Sequence, residues 1–205
     1  MNLIDETKAL CALCSISGGE GSVRGYLIDR IKTFPGILEL KTDALGNLLV
    51  HKKGRKPAKH TLLIGAHMDE VGFIVTGIES DGKCTIAPVG GIDADVVIGR
   101  AVENPDIGIG VIGAKPVHKL SAKERDEKPD FKGLLLDLGC KSREEAAALV
   151  SPGESFCYCG GWTELGGGRG ASKAIDDRFG CAAMLCMLEG EIAYDTWFAF
   201  FVQEE

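Results

Sequence analysis

Leu62-Leu63-Ile64-Gly65-Ala66-His67-Met68-Asp69-Glu70-Val71-Gly72-Phe73 is an apolar, strand-forming run that ends abruptly in a histidine, two carboxylates and a glycine. Side chains alternate faces along a strand, so His67 and Asp69 point one way and Met68 and Glu70 the other. A carboxylate two residues from a histidine can orient the ring and fix its tautomer, as the outer partners of metal-bound histidines commonly do. The plainer reading is a strand end whose polar residues simply meet water. Both fit this stretch.

Upstream, the pattern is helical and then extended. Asn2 to Cys14 predicts an amphipathic helix with Leu3, Leu10, Leu13 and Cys14 on one side. Ser22 to Phe34 predicts a second, with Val23, Leu27, Ile28 and Ile31 at helical spacing. Phe34-Pro35-Gly36 stops it. Leu38–Asp43, Leu48–His51 and Thr61–Ala66 then read as strands. The basic run His51-Lys52-Lys53-Gly54-Arg55-Lys56-Pro57-Ala58-Lys59-His60 reads as a solvated hairpin loop between two of them.

Downstream, short strand-like pieces follow at even spacing: Phe73–Ile78, Cys84–Val89, Val96–Val102 and Gly108–Ile112, then Leu134–Leu138. They predict a compact β unit. Ser121 to Asp130 reads as a charged loop. Ser142 to Leu149 reads as a short helix, begun by Ser142 with Glu145 three residues on. After Gly166-Gly167-Gly168 the α/β character returns. Cys181 to Glu189 predicts a buried helix with Asp176 or Asp177 at its start, where exposed amides favour a carboxylate. Trp197 to Gln203 reads as a strand buried on both faces, followed by Glu204-Glu205. The expected organisation is α/β over residues 1–72, a β-rich, barrel-like insertion over 73–161, and α/β again over 162–205.

Composition narrows the function. The 205 residues are 45% hydrophobic and 26% charged, with a formal charge of -7. No basic face is available to neutralise phosphates, which argues against nucleic acid. The N-terminus lacks the regions of a signal peptide, and runs such as Trp197–Val202 are far too short to span a bilayer. Of the eight cysteines, Cys11-x-x-Cys14 falls in a helical pattern rather than after a strand, and no second such pair stands at zinc-finger spacing. Free thiols in a reducing cytoplasm are expected.

Three places carry chemistry: His67 with Asp69 at one strand end, Asp176 at a helix start, and Glu204 with Glu205 at another strand end. Ligands of open α/β sheets bind at the carboxyl ends of strands, so the three can converge. One histidine with several acids suits a pair of hydrolytic divalent ions such as zinc, cobalt or manganese. Adjacent glutamates serve one site only where the backbone turns.

Ala66-His67-Met68-Asp69-Glu70-Val71-Gly72-Phe73, Lys173-Ala174-Ile175-Asp176-Asp177-Arg178-Phe179-Gly180 and Val202-Gln203-Glu204-Glu205 resemble three successive signatures of the M42 metallo-aminopeptidases. Gly110 to His118 resembles the inserted domain of that family. The resemblance implies a zinc-peptidase-like catalytic domain with a mixed sheet flanked by helices, interrupted by a β-rich dimerisation domain that builds homo-oligomers. It implies that His67 binds one of two divalent ions, Asp69 orients His67, Asp176 bridges the ions, Glu205 binds the second and Glu204 is the general base. Asp177 would be structural. Peptides would be the substrates.

Family chains continue past the Gln-Glu-Glu signature and take a further acid and histidine from that continuation. His51, His60 and His118 match no ligand position. The expectation is therefore an N-terminal portion of such an enzyme, with little or no activity alone and with the strand Trp197–Val202 partly uncovered. The competing readings are a non-catalytic oligomerisation or binding module and, last, a glycoside hydrolase. The latter needs two carboxyls flanking a sugar bond, which neighbouring glutamates meet poorly.

Overall fold

The computed structural model describes residues 1–116, 118, 121 and 128–205. Two compact units divide the chain, one formed by Met1–Glu70 with Gly160–Glu205 and the other by Val71–Cys159. In chain order the first holds α1 (Leu3–Cys11), α2 (Gly21–Ile31), β1 (Ile37–Thr42), β2 (Leu48–Lys52) and β3 (Leu63–His67). The second holds β4 (Gly72–Ile78), β5 (Cys84–Val89), β6 (Ala101–Asn104), β7 (Gly108–Ala114), β8 (Leu134–Asp137), α3 (Arg143–Ala147) and β9 (Ser155–Tyr158). The chain returns to the first with β10 (Thr163–Gly166), β11 (Arg169–Ala171), α4 (Ile175–Glu189) and β12 (Thr196–Phe201).

In the first unit the sheet order is β1-β2-β12-β3. β12 runs antiparallel to β2 and parallel to β3. One face of each central strand, Leu48 and Val50 from β2 with Phe198 and Phe200 from β12, is fully buried with Leu10, Val23, Leu27, Ile31, Leu185 and Leu188 from the helices. Val23, Leu27 and Ile31 recur at helical spacing, which is why α2 presents a single apolar stripe. α1 begins where the Asn2 side chain accepts from the amides of Ile4 and Asp5. It ends at Cys11 rather than Cys14.

Two expectations change here. β2 and β3 do not form a hairpin, because β12 lies between them; the basic loop runs instead beside residues 192–195, with Arg55 and Lys56 donating their amides to Ile192 and Ala193 carbonyls. Its lysines are solvated except Lys52, which is buried and donates Nζ to the carbonyls of Pro35 and Leu188 at 2.6 Å each. Those bonds satisfy an ammonium that burial otherwise penalises. The strand expected to be partly uncovered is exposed only at its end: Phe198, Ala199 and Phe200 are wholly buried, while exposure falls on Phe201 and on Leu62 and Leu63 at the β3 end of the sheet.

The second unit is a closed barrel of order β4-β5-β8-β7-β6-β9. Closure removes the edges that short strands otherwise expose. Phe73, Val75, Cys84, Val102, Ile112, Leu136 and Phe156 fill it. The expected strand Val96–Val102 is mostly not one. Ala94–Val96 is a 3-10 turn and Gly99 sits at φ +79°, so pairing resumes only at Ala101. The short helix starts as read, with Ser142 Oγ accepting from the Glu145 amide and Glu145 accepting from that of Lys141. The loop expected over Ser121–Asp130 lies largely outside the described residues, as does Val117 of the segment Gly110 to His118.

Free thiols hold for Cys11, Cys84, Cys140, Cys181 and Cys186. Cys14 and Cys157 are not among the free cysteines, which corrects the expectation of free thiols throughout. Among the described residues, no helix is long and apolar enough to cross a membrane. Phe198→Ala is expected to cost about 3–5 kcal/mol, because it opens a cavity between helices and sheet. The check is a lower urea midpoint followed by tryptophan fluorescence; an unchanged midpoint would place Phe198 outside the stabilising core.

Candidate functional site

The parallel pairing of β12 with β3 brings their carboxyl ends side by side, with Phe201 opposite His67. The alternation read from sequence is realised. Met68 enters the core, and the buried Glu70 carboxylate is taken up by Lys173, Arg178 and the Ser15 amide. His67 Nδ1 lies 3.2 Å from the Asp69 carbonyl and 3.4 Å from its carboxylate Oδ1. In the tautomer that carries its proton on Nδ1, that proton faces Asp69 and the lone pair is on Nε2.

Nε2 faces acids. Asp176 Oδ1 is 3.3 Å away and Glu204 Oε2 3.8 Å. Donor atoms of His67, Glu204 and Glu205 all lie within 4.8 Å of one another. The residues singled out in the sequence therefore meet. Burial first, and then the carboxylates of Glu204, Asp69 and Asp176, push the Glu205 carboxyl above its usual range, while His67 opposes the rise. Crowded acids around one imidazole nitrogen form a site of net negative character.

Asp69 has contacts beyond the His67 ring. Its carboxylate is fully buried and accepts from two backbone amides, Glu204 N at 3.2 Å and Glu205 N at 2.9 Å. The chain bends just before them, at Val202 and the left-handed Gln203, so consecutive glutamates can face one place. The two aspartates divide their work differently. Asp177 Oδ1 accepts from the Gly180 amide at 3.0 Å and caps α4, and a Cβ on Gly180 would overlap that carboxylate. Asp176 is non-helical, and its side chain is left exposed toward His67.

Behind the site is a buried ionic cluster that pattern reading missed. Glu70 Oε1 accepts from Lys173 Nζ at 2.7 Å, from the Ser15 amide at 3.2 Å and from Arg178 Nη2 at 3.4 Å. Arg178, wholly buried, also donates to the carbonyls of Leu10 and Ser15. Lys173 donates to that of Leu13. Burial raises the Glu70 carboxyl, and Lys173 and then Arg178 pull it back. The cluster ties the β3 end to the start of α4 and hence His67 to Asp176. The available signal was a pair of cations flanking Asp176-Asp177 ahead of an apolar helix.

A model of the M42 glutamyl aminopeptidase family matches residues 46–205. The chain belongs to that family. It is 31% identical to the lysyl aminopeptidase of Pyrococcus furiosus, covering 93% of this chain and 56% of that one. Among solved structures, the Pyrococcus horikoshii TET1 peptidase, which can assemble into a tetrahedron or a large octahedral shell, superposes with a TM-score of 0.84 at 36% identity, covering 99% of this chain and 62% of that one. A Thermotoga maritima protein named endoglucanase superposes at 0.83 with 39% identity, covering 97% of this chain and 59% of that one. The chain spans about half the length of the curated relatives it matches.

Arg178→Met should destabilise the fold by about 3–5 kcal/mol, since it removes one of the two cations that compensate the buried Glu70 carboxylate and the donor to the carbonyls of Leu10, Leu13 and Ser15. Arg178→Lys should restore little, because an ammonium lacks the fork that reaches the carboxylate and the carbonyls together. Thermal unfolding of both variants checks this, and a native midpoint in either would remove the cluster's structural role. Burial pushes the Cys181 thiol up to about 12, and its Sγ donates to the His67 carbonyl. Aromatic disulfide reagent at pH 8 should label it at least about tenfold more slowly than partly exposed Cys186. Peptide mapping reads the order, and equal rates would contradict the buried placement.

Proposed function

We propose that the chain carries part of the active site of a metal-dependent aminopeptidase that releases N-terminal residues from peptides. The observation that carries this reading is the convergence of His67 Nε2 with the carboxylates of Asp176, Glu204 and Glu205. The donor set fits: one imidazole already held through its other nitrogen, and acids whose mutual repulsion a cation relieves. His67 would hold one divalent ion, Asp176 would bridge two, and Glu205 would hold the second; zinc, cobalt or manganese all suit these donors. When bound, such ions supply Lewis acidity toward a peptide carbonyl and an attacking water.

The chain's own groups do the rest. Asp69 keeps the His67 ring oriented and fixes the backbone of Glu204 and Glu205. Glu204, whose side chain is mostly exposed, takes a proton from water and delivers it to the departing amine. Asp177 holds α4 in place so that Asp176 can face His67. The barrel of residues 71–159 would join copies of the chain, a reading supported by its exposed Val96, Ile98, Ile109, Val111 and Leu149. Glycoside hydrolysis has less support. It needs separated carboxyls across a sugar bond and leaves His67 and Asp176 without a task.

Dialysis against zinc followed by elemental counting should find bound metal in the native chain and a loss in His67→Ala. Full occupancy in His67→Ala would end the assignment, as would a native chain that takes up none. Aminoacyl chromogenic substrates should show little turnover by these 205 residues. In the enzyme of family length, a chelator should abolish turnover, and Glu204→Gln should lower it by about 10²–10⁴-fold. Turnover indifferent to that change would remove Glu204 as base.

A further inference from the structure

Consecutive residues on a strand face opposite ways, so two neighbouring glutamates need a shaped backbone to share a site. β12 ends at Phe201, and each of the next four amides is taken by a side-chain oxygen. Val202 N donates to Asn47 Oδ1 at 3.0 Å and Gln203 N to Glu20 Oε1 at 3.1 Å. Glu204 N and Glu205 N donate to the two oxygens of Asp69. Gln203 sits at φ +56°, the left-handed region that a residue other than Gly or Asn enters reluctantly. Something must hold it there.

The holders are themselves fixed. Glu20 is buried at the start of α2, and the same Oε1 accepts from the Gly18 amide at 2.7 Å. Asn47 donates Nδ2 to Asp43 Oδ2 at 2.8 Å, which turns its Oδ1 toward Val202. Asp43 Oδ1 in turn accepts from the amides of Leu45, Gly46 and Asn47, at 3.0 Å each, making the β1–β2 turn a rigid mount.

We propose that Glu20 and Asn47 are positioning residues for the Glu204–Glu205 pair, holding Val202 and Gln203 so that both carboxylates face His67. This rests on the metal reading given above and adds to it two groups from the first quarter of the chain. Neither touches substrate or metal; both act through the backbone. Without them, Asp69 would hold Glu204 and Glu205 from one side only, and Gln203 would be free to leave the left-handed region.

The test uses the 205-residue chain and four variants: Glu20→Ala, Glu20→Gln, Asn47→Ala and, as the control for the site, His67→Ala. NMR amide exchange is read at Gln203, Glu204 and Glu205, with Phe200 inside β12 as the internal standard for folding. Co2+ affinity is read by calorimetry. Glu20→Ala and Asn47→Ala should speed exchange at the three amides by at least about tenfold while Phe200 stays protected. They should weaken Co2+ binding by about 10–100-fold, and Glu20→Gln, which keeps its acceptor oxygen, should stay near native in both readouts. Native exchange in both alanine variants would overturn the proposal. So would released amides with native Co2+ affinity. Should the native chain bind no Co2+, the metal reading falls and takes the positioning role with it; faster exchange in the alanine variants would show that the backbone hold itself had been correctly identified.

Discussion

The Asp69 carboxylate, wholly buried, accepts two backbone amides from Glu204 and Glu205 and stands against the imidazole of His67. A buried carboxylate is tolerated only when its oxygens are satisfied, so the group cannot be moved or replaced without opening both attachments. That single side chain joins the end of β3 to the turn after β12. The parallel register of the two strands brings the ends together, and Asp69 keeps them there. The cluster of Glu70, Lys173 and Arg178 does equivalent work, joining the end of β3 to α4. Histidine and acids drawn from three stretches of chain then meet.

Much of this was written plainly in the residues. The alternation His67-Met68-Asp69-Glu70 assigned each side chain its direction, and Met68 and His67 lie where it put them. The stripe Val23, Leu27, Ile31 fixed the buried face of α2. Three short signatures were enough to indicate the family. Other features depend on long-range pairing that no local pattern carries. The place of β12 between β2 and β3 is one such case, because the basic loop looked like a hairpin connection and period-2 patterning says nothing about neighbours.

Polar contacts were the least legible part. Glu20 in a glycine-rich turn and Asn47 in a tight loop look like ordinary surface residues in one dimension; burial and a distant amide give them their role. Arg178 carries a charge that by itself argues for the surface, yet it is among the most deeply buried side chains described. The strand boundary missed near Gly99 has the same root. Val96, Val97 and Ile98 have strand-forming side chains, but the glycine's left-handed backbone and the preceding 3-10 turn take precedence over propensity.

The central position of β12 also sets the order in which the molecule can be made. During synthesis β1, β2 and β3 emerge early, yet the strand that must lie between β2 and β3 comes only after the entire barrel segment. Until then the apolar faces of Leu48, Val50 and Ile64 have no strand to join them, and the pairings that complete the sheet span most of the chain. The barrel's strands all pair within residues 72–158, so that unit contains its own closure and can finish first. The nascent chain therefore carries β2 and β3 unjoined through synthesis of the barrel segment, an interval in which their apolar faces are open to aggregation.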